Sequence, residues 1–132
     1  MSTPLSFVFD HVHIFCSNLD ATERWFSEGM DAQLMRRRVA ANGAKAVDLR
    51  LGGVGVFLRG LAPGEAPPAP TSSSGLGTNH FALVVSDIDS IVGELRRRGV
   101  EFESPPRKIG QGSQIAFVRG PDGVRIELIQ RP

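Results

Sequence analysis

Residues 7–16 read Phe-Val-Phe-Asp-His-Val-His-Ile-Phe-Cys, an apolar, β-branched run whose side chains alternate between two faces if it is extended. Ser17 and Asn18 break it, and either Asn18 or Asp20 can cap a helix that runs to about residue 28 and stops at Gly29. The same order returns later: a strand at 80–85, Ser86-Asp87, a helix over 88–98, then Gly99. Shorter runs predict strands over 32–39, 45–51 and 54–59 in the first half, and over 100–103, 114–119 and 124–130 in the second. Each half reads β-α-β-β-β, and the two copies are offset by about 69 to 70 residues.

Turn residues sharpen this outline. Gly52-Gly53 and Gly120-Pro121-Asp122-Gly123 separate the last two strands of each half, so both pairs should be hairpins. Residues 61–78 hold Pro63, Pro67, Pro68, Pro70 and a Thr-Ser-Ser-Ser-Gly tract, which sustains neither helix nor central strand. The expected architecture is α+β, a single domain over 1–132: tandem βαβββ modules at 7–60 and 79–131 form a curved, cup-shaped mixed sheet with helices on the outer face. The linker over 61–78 should cross the surface as a flap near any site in the cup.

Composition narrows the class of function. With 41% hydrophobic and 22% charged residues and a net charge of +1, nothing asks for a nucleic-acid or membrane partner. The runs Arg36-Arg37-Arg38 and Arg96-Arg97-Arg98 are expected to be solvated faces balanced by nearby acids. The first residues carry no cationic region followed by an apolar stretch, and no apolar run approaches the ~20 residues of a membrane span, so a cytoplasmic protein is expected. The single cysteine, Cys16, excludes an intrachain disulfide and a thiolate zinc cluster and falls among core positions.

Alternation then sorts the chemistry. His11, His13, Phe15 and Ser17 share one strand face, and Val12, Ile14 and Cys16 the other. His80 occupies the position in the second module that His11 occupies in the first, with Ala82 and Val84 on its face. In the last strand Arg125, Glu127 and Ile129 oppose Val124, Ile126 and Leu128; the wholly apolar sets should meet the helices and the polar sets line the cup. A lone strand histidine is more often structural than a ligand, but two at equivalent positions, with Glu127 isolated between Ile126 and Leu128, reverse that preference. Two imidazoles and a carboxylate satisfy one divalent metal ion and leave coordination positions open. His13 can be a ligand, a general acid or base, or a hydrogen-bond partner of a ligand; a role lining the site, with His13 and Glu127 as the candidate catalytic groups, is favoured.

The stretches Asp10-His11-Val12-His13-Ile14, Asn79-His80-Phe81-Ala82-Leu83-Val84-Val85-Ser86-Asp87 and Ile115–Leu128 with its Gly-Pro-Asp-Gly turn resemble the vicinal oxygen chelate superfamily, which embraces glyoxalases, bleomycin-resistance proteins and extradiol dioxygenases. The resemblance runs from about residue 10 to residue 130, implies one glyoxalase-like domain, and puts His11, His80 and Glu127 on the family's metal-ligand positions. Many of its isomerases draw a fourth ligand, Glu or Gln, from the last strand of the first module, where aligning the two halves sets Phe57 opposite Glu127. The resemblance implies a lyase or isomerase like glyoxalase I or methylmalonyl-CoA epimerase, acting on a small carbonyl substrate through a metal-stabilised enediolate. Fe, Mn, Ni, Co and Zn are not distinguished by the residues. Alternatives are an iron-dependent extradiol-type dioxygenase, disfavoured by the absence of tyrosine; a metal-free ligand-sequestering protein of the bleomycin-resistance kind; and thiol addition to an epoxide, as in fosfomycin resistance. A homodimer is implied, with the modules paired within one chain or exchanged between two.

Overall fold

The computed structural model describes residues 2–68 and 75–132. The opening strand β1 (His11–Phe15) leads to helix α1 (Leu19–Arg24), which widens into a π-helical turn over Trp25–Gly29. Asn18, rather than Asp20, is the cap: its Oδ1 accepts from the Ala21 amide at 3.0 Å. Asp87 does the same for the Ser90 amide at the start of α2 (Ile88–Arg97), and Gly99, at φ +84°, lets the chain turn away after it. The remaining strands of the first module are β2 (Gln33–Val39), β3 (Lys45–Leu51) and β4 (Val54–Arg59); those of the second are β5 (Phe81–Val84), β6 (Glu101–Phe102), β7 (Arg107–Lys108), β8 (Gln114–Arg119) and β9 (Arg125–Gln130).

The repeat is visible in the pairing. The first sheet has the order β1-β4-β3-β2 and the second β5-β9-β8-β6, with β7 also on β8. In each, the first strand lies parallel to the last and the other pairs are antiparallel. Gly52 and Gly53 take φ values of +60° and +84°, as a tight type I′ hairpin requires. The class is α+β as expected, with the hydrogen-bonded ladders divided between two mixed sheets, one per module.

Two strands depart most from the sequence reading. β1 starts at His11, not residue 7, because β4 offers no partner before Gly55; the Gly55 amide reaching the Asp10 carbonyl is the last link of the ladder. The strand expected at 100–103 is cut to two residues, and a short β7 follows, because Pro105 and Pro106 deny the ladder two donors. Of the surface flap expected over 61–78, residues 69–74 lie outside the described residues.

Alternation places the core as expected. Ile14, Cys16, Leu49 and Leu58 from the first sheet and Val118, Ile126 and Leu128 from the second are buried with Phe26, Ile88 and Val92 of the helical segments in one continuous cluster. Ser17 ties the modules together: its amide and hydroxyl donate to the Asp122 carboxylate at 2.9 and 2.6 Å. Among the described residues no helix is long and apolar enough to cross a membrane.

The first arginine run is more than a solvated face. Alternation along β2 sends Arg37 to Glu23 on one side and Arg36 and Arg38 to Asp48 on the other, where β2 pairs with β3. Asp48 is only 1% exposed and accepts from Arg36 Nε at 2.6 Å and from Arg38 Nε and Nη2 at 2.9 and 2.7 Å. Burial disfavours its charge, but the bonds from Arg38 and Arg36 outweigh that and hold the carboxyl below the usual aspartate range. A depressed folded-state pKa contributes stability that is present above the unfolded value and lost as pH falls through the folded one. Asp48→Ala should therefore cost about 1–3 kcal/mol in urea unfolding at neutral pH. The gap to wild type should narrow below about pH 4; a gap that stays constant with pH would contradict this account.

Candidate metal centre

The parallel β5–β9 register sets Ala82 beside Glu127, and His80, two residues before Ala82, extends the same face. Its Nε2 lies 3.3 Å from Glu127 Oε1. On the other side of the ring, His80 Nδ1 lies 2.7 Å from Asn79 Oδ1, and the same oxygen receives Arg125 Nη1 at 2.6 Å. A guanidinium only donates, so the Asn79 atom facing it must be the carbonyl oxygen, and His80 Nδ1 must carry the proton that points at it. Nε2 of the neutral ring is then a lone pair turned toward a carboxylate. Arg125 is itself fixed by Glu103, which accepts from Nε and Nη2, and by the Phe117 ring, whose centroid is 3.7 Å from its Cζ. The bond from Arg125, opposed by burial, keeps Glu103 below the usual carboxylate range.

The first module repeats half of this device. His11 Nδ1 lies 2.6 Å from Asp10 Oδ2, an acceptor, so in the neutral tautomer this contact selects, Nε2 carries the lone pair. The ring stacks on Phe57, centroids 4.1 Å apart and planes 14° from parallel. In both modules the residue before the histidine is the acceptor that sets its tautomer, a common arrangement behind metal-ligating histidines. His80 and Glu127 come together; His11 stands over Phe57 on its own sheet. Among the described residues no three His, Cys, Asp or Glu side chains gather as a metal cluster.

Cross-strand register also shows how the modules differ. Glu127 on β9 faces Phe117 on β8, whereas Phe57 on β4 faces Asp48 on β3. The acid and the aromatic have changed places, and the carboxylate of the first module is held by Arg36 and Arg38.

The sequence model of the Glyoxalase/Bleomycin resistance protein/Dioxygenase superfamily matches residues 8–128. The chain belongs to that superfamily. It is 43% identical over 58 residues to "Lactoylglutathione lyase GLX1" of Arabidopsis thaliana; the match covers 43% of this chain and 20% of that protein, so the chain spans about a fifth of that relative. A glyoxalase family protein from Enterococcus faecalis superposes with a TM-score of 0.78 at 27% identity, over 92% of this chain and 96% of the other. The fosfomycin resistance protein FosX of Listeria monocytogenes, crystallised as a mutant complexed with Mn(II) and 1S,2S-dihydroxypropylphosphonic acid, shares the fold at 16% identity and a TM-score of 0.69, over 94% and 92% of the two chains.

In this superfamily member a cavity of about 920 Å³ lies alongside β1 and the start of β5, lined by His13, Phe15, Asn79, His80, Asp122 and Arg125 among others. Burial, then the nearby His11 and Arg38, hold His13 below the ordinary histidine value, so it is neutral at neutral pH. Sequence reading placed His13 and Arg125 on faces that line the cup but gave no role to Asp10, Asn79 or Asp48. For the first two the signal was present: an acceptor side chain immediately precedes each symmetric histidine.

Removing the donor that orients Asn79 should release the tautomer. Nitrogen-15 NMR of the neutral His80 ring in metal-free protein should show a proton on Nδ1 in wild type and a mixture of tautomers in Arg125→Leu. A wild-type ring protonated mainly on Nε2 would refute the assignment.

Proposed function

We propose that this chain is a divalent-metal-dependent lyase or isomerase acting on a small carbonyl substrate, with the ion held by His11, His80 and Glu127. The observation that carries this reading is the 3.3 Å approach of His80 Nε2 to Glu127 Oε1 with the ring proton already committed to Asn79. Two lone pairs face one another, and only a further proton or a cation between them makes the contact favourable. His11, with its free Nε2, supplies a third donor of the same kind, so the set fits a divalent ion. When bound, such an ion supplies Lewis acidity that polarises a carbonyl.

The chain's own residues supply the rest. His13 is a neutral imidazole on the wall of the cavity and can take a proton from a substrate carbon and return it. Glu127 contributes negative charge at the ion, and Arg125, through Asn79, holds His80 in the ligating tautomer. The match to a lactoylglutathione lyase favours lyase or isomerase chemistry over oxygenation.

His11 is apart from the pair in one chain, and the strand faces that carry both histidines are open: Phe15 is 54% and Val84 71% exposed. This supports a homodimer in which His11 of one copy completes the His80–Glu127 pair of the other. Elemental analysis should find about one divalent ion per chain, lost in His11→Ala, His80→Ala and Glu127→Ala. Refolding His11→Ala together with Glu127→Ala should restore metal to mixed dimers, since one of their two sites is then intact; no restoration would place all three ligands in one chain. His13→Ala should keep its metal and lose about 10²–10⁴-fold in kcat on a turned-over carbonyl substrate. A variant with full activity would remove His13 from the chemistry.

A further inference from the structure

On the sheet face that carries His11 and His13 lies a cluster of arginines that the proposed metal chemistry does not use. The register of the first sheet puts His11, His13 and Phe15 of β1, Phe57 and Arg59 of β4, Asp48 and Arg50 of β3, and Arg36 and Arg38 of β2 on one face. Its charge is lopsided. Arg50 bonds the Gly53 carbonyl, Arg59 pairs with Glu65, and Arg36 and Arg38 share the single carboxylate of Asp48. Arg36 and Arg38 against the one carboxylate of Asp48 leave a formal +1 at that cluster alone, in a chain whose net charge is only +1.

Burying Asp48 needs one guanidinium; a second adds positive charge that nothing on this face cancels. Asp48 takes only the Nε of Arg36 and the Nε and Nη2 of Arg38, and Arg36 and Arg38 are 63% and 36% exposed. The buried acid thus pins two forks at their inner edges while leaving other N–H groups to solvent, which is a preorganised receptor for an oxyanion. Arg59 strengthens the field: its Cζ lies 4.5 Å from the Phe15 centroid, and its Nη1 is buried without a hydrogen-bond partner. Arg38 sits over Phe57 at 5.7 Å, and Phe57 stacks on His11, so the guanidinium is one aromatic ring away from a candidate metal ligand.

We propose that this face receives the anionic end of the substrate, a carboxylate or phosphate group held by Arg36 and Arg38, while its carbonyl end lies at the metal. The second half of that statement rests on the function proposed above; the anion site itself does not.

The site can be tested on the full chain freed of metal. Sodium phosphate and, separately, sodium acetate are titrated in at constant ionic strength, with sodium chloride as the control for screening, and the arginine Nε–H signals are followed by NMR. Arg36 and Arg38 should shift saturably with phosphate, acetate or both, and the anion that saturates at lower concentration identifies the group. Arg36→Gln, which leaves Arg38 on Asp48, and Arg38→Lys, which keeps the charge but loses the fork, should each weaken binding about tenfold. Arg24→Gln, at an exposed position of α1, should not. Shifts that run linearly like those with chloride, or an affinity indifferent to Arg36→Gln and Arg38→Lys in folded protein, would overturn the proposal. Metal content measured on the same proteins separates the two ideas: wild type without metal sinks the proposed function and leaves the anion site standing, and the reverse result does the opposite.

Discussion

The parallel pairing of the first strand of each module with its last is the constraint from which the rest follows. It fixes His11 beside Gly55 and Phe81 beside Ile126, and with a side-chain period of two it decides every inward and outward position. A slip of one residue would send Ile14, Cys16, Ile126 and Leu128 to solvent and bury the histidines. Burial of those apolar side chains, each worth about 1.5–3 kcal/mol, therefore holds the imidazoles and Glu127 on the open faces without any direct interaction being needed to place them.

Much of this was legible in the sequence, and unevenly for physical reasons. Strands 45–51, 54–59 and 114–119 fall where the alternating runs put them, because glycine turns bound the first two and a glycine near each end bounds the third. The start of β1 was not legible, since Phe7, Val8 and Phe9 have strand-like side chains but no neighbouring strand to bond. Asp48 was missed although it sits between Val47 and Leu49, the same signal that singled out Glu127. The difference between them lies in a neighbouring strand, where Arg36 and Arg38 reach one acid and not the other. Internal symmetry established that His11 and His80 are equivalent; equivalence under a repeat does not bring two side chains together, and in one chain His11 and the His80–Glu127 pair belong to different sheets.

The two histidines also show how little sequence is needed to orient an imidazole. A single preceding acceptor, Asp10 or Asn79, commits the ring's Nδ1 proton and so chooses which nitrogen is offered outward. Asn79 cannot do this alone, because an amide presents a donor as readily as an acceptor; Arg125 removes that freedom, and Glu103 and Phe117 remove the freedom of Arg125. Asp10 has no donor end and needs no such support.

The exchange of places between acid and aromatic, Glu127 beside Phe117 in one sheet and Phe57 beside Asp48 in the other, breaks the equivalence of two otherwise matching halves. A pseudo-symmetric pair of faces would bind a molecule equally well turned end for end. Here one half sets its carboxylate beside His80, whereas the other buries its carboxylate under Arg36 and Arg38, so the two faces differ in where their negative charge lies and in what holds it. A one-strand displacement of a single negative charge is enough to make two halves of the same topology chemically unequal.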